Sequence, residues 1–303
     1  MPEIFTKKRI RIEVYLRAGK FEDGNNVLVI DDLPMHVEIV KAGIPSFPEA
    51  TITIWGLSLA KMKTLSMKGH VMFQSYRNRV KIYAGDSEPD KLPLVFVGEE
   101  SFGSAMMDAQ GEARFEMKAF TGIYAAMTPT KPMSVKGSVP ASEIIQQFAT
   151  DAGYKFINQG VTTQVTDCIV YGDSITKMRT VADAIGADLI IDDQEVILLP
   201  RDSYRQSPNL VVSPETGMLG YPSINSQGIS VTFLFNPSIR FRQMIHVESV
   251  IPMATGDHGV IKLQHVIDAN QNGGGQWQTT IESLFNYVYE RISFFKSRAV
   301  LGK

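Results

Sequence analysis

Five histidines and the carboxylate pairs Asp31-Asp32, Glu99-Glu100 and Asp192-Asp193 are residues of this sequence whose types could carry chemistry. A catalytic or structural metal needs three or more ligands converging at workable spacing. His36, His70, His246, His258 and His265 form neither H-x-H nor H-x-x-x-H. The nearest approach to a site is His246 with Glu248 on one face of a predicted strand, beside a loop holding Asp257 and His258. Two ligands do not make a metal centre, and no metal or cofactor is expected.

Carboxylate-based hydrolysis would need two acids facing each other across a cleft. The pairs Asp31-Asp32, Glu99-Glu100 and Asp192-Asp193 fall where predicted strands meet turns, and turn chemistry accounts for them. Gly273-Gly274-Gly275 does not lead a strand into a helix, so it reads as a hairpin tip and not a phosphate cradle. No G-x-S-x-G nucleophile elbow occurs. The one cysteine, Cys168, excludes an internal disulfide and lies in an apolar run as a small hydrophobe would. These residues predict no enzyme; a hydrolase built on Asp31, Asp32, Glu99 or Glu100 is the weakest alternative.

The elements that carry these residues are mostly strands. Ile10, Ile12, Val14 and Leu16 alternate with Arg9, Arg11, Glu13 and Tyr15, so the basic cluster of Lys7, Lys8, Arg9 and Arg11 reads as the wet face of a strand. Residues 50–55 (ATITIW) alternate likewise. A short helix follows, with Ser58 as N-cap and Leu57, Met62 and Leu65 on one face. Residues 135–200 change grammar to β-α-β-β-α-β-β. One helix spans 141–152 with Ile144, Ile145 and Phe148 inward, a second spans 174–185 with Ile175, Met178 and Val181 inward, and Gly153 and Gly186 stand at their ends. After Pro200 the strands return, and residues 285–303 read as a short amphipathic tail or a continued strand.

One pattern is written twice. Residues 79–120 and 244–284 both read strand, loop, strand, polar turn, strand, and Asp108-Ala109-Gln110-Gly111 in the first answers the turn that starts at Asp268-Ala269-Asn270 in the second. A duplicated β module suits a ring built from few subunits. The two copies are expected to superpose in strand order. The intervening block is expected to stand apart as a peripheral lobe.

Composition sets the outer bounds. A chain of 303 residues exceeds one typical core, and 44% hydrophobic with 20% charged residues is ordinary for a folded protein. A net charge of −2 gives no footprint for specific nucleic-acid recognition. No apolar stretch approaches ~20 residues, so no membrane anchor is expected, and the first ten residues lack a secretion signal, which points to folding in cytosol.

The run Ser213-Pro214-Glu215-Thr216-Gly217-Met218-Leu219-Gly220-Tyr221-Pro222, then Gly228 to Pro237 (GISVTFLFNP), a strand ending at Ser249 and a last strand carrying Trp277, resembles in order the central hub proteins of contractile phage-tail baseplates, the late-control D or tail hub family. Ala50 to Leu57 and Ala84-Gly85 followed by Phe96-Val97-Gly98 resemble the same family near the N-terminus. The resemblance implies a β-rich α+β fold: tube-like β-barrel modules at 1–130 and 201–284 flank a small α/β domain at 131–200 that resembles ring-building domains, with a tail at 285–303. It implies a homotrimer whose modules make a pseudo-sixfold ring, adapting a sixfold tail tube to a threefold spike in a virion tail assembled in the host cytoplasm. Partners implied are the tail tube protein and a central spike protein, with tape-measure and baseplate wedge proteins as further candidates. The spike is expected to be a separate polypeptide, since no long β-helical stretch is present, and no lysozyme-like domain suggests peptidoglycan cleavage. Tyr287, Tyr289, Phe294 and Phe295 are the candidate spike or neighbour contacts, because this tail is more aromatic than a free one requires. A carbohydrate- or peptidoglycan-binding protein stacking sugars on Trp55, Trp277 or Tyr287 is the alternative.

Overall fold

The computed structural model of the protein describes residues 7–43, 46–66, 78–86, 88–107, 111–271 and 274–285. The first third contains β1 (Arg9–Tyr15), β2 (Val27–Ile30), β3 (Met35–Ala42), β4 (Glu49–Trp55), α1 (Leu59–Leu65), β5 (Arg79–Gly85), β6 (Leu94–Met107) and β7 (Ala113–Phe120). The middle contains α2 (Ile123–Met127), β8 (Pro129–Ser134), β9 (Ser138–Pro140), α3 (Ala141–Asp151), β10 (Lys155–Asn158), β11 (Gln164–Thr166), β12 (Ile169–Asp173), α4 (Ser174–Ala184), β13 (Ala187–Asp192) and β14 (Glu195–Pro200). The last third contains β15 (Arg205–Val212), β16 (Ser223–Ile224), β17 (Gly228–Leu234), β18 (Gln243–Val247), β19 (Gly256–Ala269) and β20 (Trp277–Leu284).

Strict period-two alternation puts one face of each strand inside. In β3 and β4 every second residue is buried, and Met35, Val37, Ile39, Ala50, Ile52 and Ile54 join Ile10, Ile12, Val80, Ile82, Phe96 and Phe115 in one core. A second core gathers Ile229, Val231, Phe233, Ile245, Val247, Val260 and Ile281. Fully burying such side chains stabilises by roughly 1.5–3 kcal/mol each, before the entropy of ordering them. Helix α1 starts as its sequence requires: Ser58 accepts a hydrogen bond from the Lys61 amide, and Met62 and Leu65 are the buried positions.

The two meanders correspond strand for strand. In the first half the hydrogen-bonded order is β5-β6-β7-β4-β3; in the second it is β18-β19-β20-β17-β16. β6 and β19 are both 14 residues long, and β7 and β20 are both 8. Each long strand also breaks register against the strand that follows it, between Glu100 and Phe102 in β6 and between Val260 and Lys262 in β19; β6 has a further irregularity against β5, between Leu94 and Phe96. The copies differ outside the meander, where β1 runs antiparallel to β5 while β15 runs parallel to β18. An antiparallel pairing of β3 with β19 joins the halves, from Met35 opposite Ala269 to Ala42 opposite Lys262.

The modules are not the closed barrels the resemblance implied. Among the described residues the ladder runs open from β16 to β2, because the outer edge of β3 is taken by β19 of the other half and so cannot close on its own module.

The block between the halves forms its own core from Ile144, Ile145, Phe148, Ile175, Met178, Val181, Leu189 and Leu198. α3 and α4 lie over a small mixed sheet in which β10 runs parallel and β13 antiparallel to β14. The reading of this block as a lobe with few contacts is corrected by the structure. The other face of its sheet, with Ile190, Ile197 and Leu199, is buried together with Phe241 from the loop before β18, and Phe47 packs into the block's own core. Both faces of a hairpin as apolar as residues 187–200 must be covered, and the β body covers the second.

Candidate functional site

The residues singled out for chemistry are dispersed. His36 Nδ1 lies 2.7 Å from Asp268 Oδ1 on the β3–β19 joint, and His246 Nδ1 lies 2.7 Å from Asp257 Oδ1 across β18 and β19. His258 is held between the Ala254 carbonyl (3.0 Å) and the Ser283 hydroxyl (3.1 Å), and burial lowers its pKa. His265 is buried against Thr279 Oγ1 at 2.9 Å. Burial, with the cations Lys41 and Arg240 nearby, pushes its pKa down to about 3, so it is a neutral core residue. Among the described residues no three of His, Cys, Asp and Glu gather where they could hold a metal. His70, Gly273, Tyr287, Tyr289, Phe294 and Phe295 lie outside the described residues.

The carboxylate pairs part company. Asp31 and Asp32 sit in the turn between β2 and β3, as expected. Glu99 and Glu100 do not: they lie inside β6 and are buried, at the irregularity that the strand shares with β19. Burial raises the Glu100 carboxyl to about 7, opposed by the Asn78 side-chain amide, which donates to its Oε2 at 2.6 Å. Trp277 packs edge-on to Phe235, with centroids 5.0 Å apart, and Phe235 in turn meets the His265 ring. That packing spends the indole on the core rather than on a sugar face.

Asp192 and Asp193 form the β13–β14 turn, with Asp193 at φ 53°, yet this turn is a plug and not a surface loop. The Lys41 ammonium, projecting from β3, donates to Asp192 Oδ1 at 2.7 Å and to Asp193 Oδ2 at 2.8 Å. Arg205 from β15 donates to Asp192 Oδ2 at 2.6 Å, and the Val97 amide of β6 donates to Asp193 Oδ1 at 3.0 Å. A second pair, Arg242 to Asp188 at 2.5 Å, lies beside it. Burial disfavours every charge here. For Lys41 the two aspartates outweigh that cost and hold its pKa above the usual range; for Asp192, Lys41 and Arg205 hold the carboxyl well below it. Asp193 is pushed up, by burial and by the neighbouring Asp192 charge. The sequence signal for this cluster was the phase of Lys41: it follows Met35, Val37 and Ile39 at the inward positions of β3.

Exposed apolar side chains are scattered over the surface, Ile169, Tyr171, Val250 and Met253 among them, and two small groups lie on β6 and beside β17. Phe102 and Met107 on β6 are 40% and 73% exposed; Leu219, Tyr221 and Ile224, beside β17, are 41%, 75% and 36% exposed. Gly217 makes the sharp entry to the second group. Its φ of +106° belongs to glycine, and any side chain there would press on Leu234. A cleft of about 460 Å³ between the middle block and the β body, lined by Phe47, Arg179, Asp188, Phe241 and Arg242, also reaches Leu284, the last strand residue before the tail. Its cations and carboxylates are mixed and select no ligand class.

Against known proteins, a family model described as baseplate hub gp41 matches residues 11–272. No curated protein matches the sequence. Among solved structures, the 43 kDa tail protein of prophage MuSo2 from Shewanella oneidensis is similar at 7% identity and a TM-score of 0.60, over 92% of this chain and 98% of that one. The tail protein from Neisseria meningitidis MC58 is similar at 7% identity and a TM-score of 0.61, over the same shares, 92% and 98%. The E. coli c3393 protein, described as a type VI secretion component with structural similarity to the T4 tail proteins gp27 and gp5, is similar at 8% identity and a TM-score of 0.53, over 89% of this chain and 76% of that one. At these identities the likeness is one of fold.

Proposed function

We infer the function from a family: this chain belongs to the baseplate hub gp41 family, and its role is structural, as a hub in the baseplate of a phage tail. Three copies associate into a ring in which the two halves of each chain alternate, presenting pseudo-sixfold surfaces to a tail tube and threefold surfaces to a spike. The observation that carries this reading is the repeated strand order β5-β6-β7-β4-β3 and β18-β19-β20-β17-β16, with the same irregularity in β6 and β19. A single chain that carries one module twice converts between threefold and sixfold symmetry without a second gene product. The tail at 285–303, with Tyr287, Tyr289, Phe294 and Phe295, is the segment assigned to the spike or a neighbour. Tape-measure and wedge proteins of a contractile tail are further candidate partners.

The test is the mass of the purified protein by light scattering, followed by co-purification with the tail tube and spike proteins. A trimer that retains both is expected. A chain that stays monomeric at every concentration overturns the ring. Truncation after Leu284 is expected to leave the trimer and abolish spike capture; unchanged capture removes the tail from that contact.

A further inference from the structure

Among the described residues two lysines are buried, Lys41 at 2% and Lys177 at 1% exposed, and they are housed in opposite ways. Lys41 meets two carboxylates. Lys177, on α4, donates to Thr130 Oγ1 at 2.7 Å and to the Lys131 carbonyl, and its ammonium lies 5.1 Å from the centre of the Phe148 ring. Among the described residues it forms no ion pair. A buried charge is costly unless it is paired, and two neutral acceptors with an aromatic face offset only part of that cost.

The same side chain lines a cavity of about 250 Å³ where β8, α3 and α4 meet. Phe148 and Ser174 are buried members of its wall, and Lys131, Gln147 and Asp151 stand exposed at its rim. An ammonium has three donors. Two are spent, so one N–H and an uncompensated charge remain for whatever enters.

We propose that this cavity is a socket for one acidic side chain, an aspartate or glutamate on a segment of another protein, whose carboxylate completes the Lys177 ion pair. Size decides against a free organic ligand, because cavities that hold one measure roughly 300–1,000 Å³. Charge decides against phosphate, which brings close to two negative charges and is best met by an arginine fork. Here Lys131 and Lys177 against Asp151 leave one positive charge, which one carboxylate neutralises. A peptide also suits the rim: its carboxylate takes the Lys177 N–H, while Asp151 and the Gln147 side-chain carbonyl accept backbone N–H groups of the incoming segment. The exposed Lys131 at the entrance favours the approach of an acid. This goes beyond the hub reading, in which the occupant is a neighbour in the tail; the socket lies within the middle block and does not depend on a ring of three.

The test uses the full-length chain with the capped peptide acetyl-Ala-Glu-Ala-amide, observed by saturation-transfer NMR, and acetyl-Ala-Gln-Ala-amide as control. Saturation is expected on the glutamate methylenes, which pass the Phe148 ring. Binding should weaken about tenfold or more for the glutamine peptide, and for the glutamate peptide on Lys177→Met, the factor that a hydrogen bond to a charged group is worth. Lys177→Met keeps the side-chain length and strands no carboxylate, so its urea midpoint should stay level or rise, unlike that of Lys41→Met. Should it fail to fold, Gln147→Glu on the exposed face of α3 sets a tethered acid at the rim and should weaken binding of the glutamate peptide in the same sense. No saturation on the glutamate, equal binding of the two peptides, or binding that neither variant changes overturns the socket. Displacement of the peptide by inorganic phosphate at equal concentration, or acetate binding as tightly as the peptide, overturns it in favour of a free anion. The oligomeric mass is read on the same samples, so failure of the socket and failure of the ring are told apart.

Discussion

Replacing Lys41 by methionine tests what holds the middle block to the β body. Lys41 is 2% exposed and bonds Asp192 and Asp193, which are 3% and 16% exposed, so the change leaves carboxylates in a largely buried site without their shared cation. Arg205 still faces Asp192, but Asp193 keeps only the Val97 amide. Breaking a buried pair by removing one partner costs about 3–5 kcal/mol. Restoring neutrality with Asp193→Asn in the same chain should recover about half, giving a coupling of roughly 1.5–2 kcal/mol in a double-mutant cycle. The pH dependence has a definite sign. With Lys41 present, Asp192 is held low and contributes stability above its unfolded pKa, which is lost as pH falls through the folded value. Without Lys41, burial is less opposed and the folded carboxyls rise, so the variant loses stability as pH rises. The gap between wild type and Lys41→Met should therefore widen from pH 4 to pH 7. Urea unfolding followed by tryptophan fluorescence reads the gap, and limited proteolysis at neutral pH should cut first at the connections of residues 131–200. A loss under about 1 kcal/mol, equal at both pH values, would refute the reasoning.

Two further outcomes follow from buried groups. Glu100→Gln should leave stability nearly unchanged at pH 5 and raise it by up to about 3 kcal/mol at pH 8 in urea unfolding, because a carboxyl raised from 4.5 to about 7 contributes stability below its unfolded pKa that is lost as pH rises through the folded one; a flat difference across that range would contradict it. Gly259→Ala should cost roughly 1–3 kcal/mol, since a Cβ there runs into the Tyr204 ring that stacks against Arg242, and Tyr204→Ala in the same chain should remove most of the added cost; a loss unchanged by the second substitution would rule out the clash.

Local grammar was legible where one element decides for itself. The stripe Ile144, Ile145 and Phe148 placed α3, Ser58 placed the start of α1, and Gly186, at φ +66°, marked the end of α4. The doubled meander was legible because the order of strands and the residues of the polar turn repeat. Partners chosen at long range were not. Nothing near β15 announces a parallel pairing with β18, and nothing near β3 says that its outer edge meets β19 more than 200 residues away. Asp192-Asp193 illustrates the limit: the residues make the turn their types suggest, but only packing decides that the turn is buried against Lys41. Glu99-Glu100 was misplaced for a related reason, since β6 continues past the glycine and acids that look like a strand end.

The two repeated four-strand units, β16-β17-β20-β19 and β3-β4-β7-β6, differ at one outer strand. β3 lines β19 with an unbroken run from Met35 to Ala42. The matching segment at the other end of the ladder begins with Met218 opposite Phe233, as Met35 stands opposite Ile54, and then departs from β17 through Gly220, Tyr221 and Pro222 before Ser223 and Ile224 return. Two extra residues and a proline leave fewer backbone groups for a neighbour, which is how edges are commonly kept from promiscuous pairing.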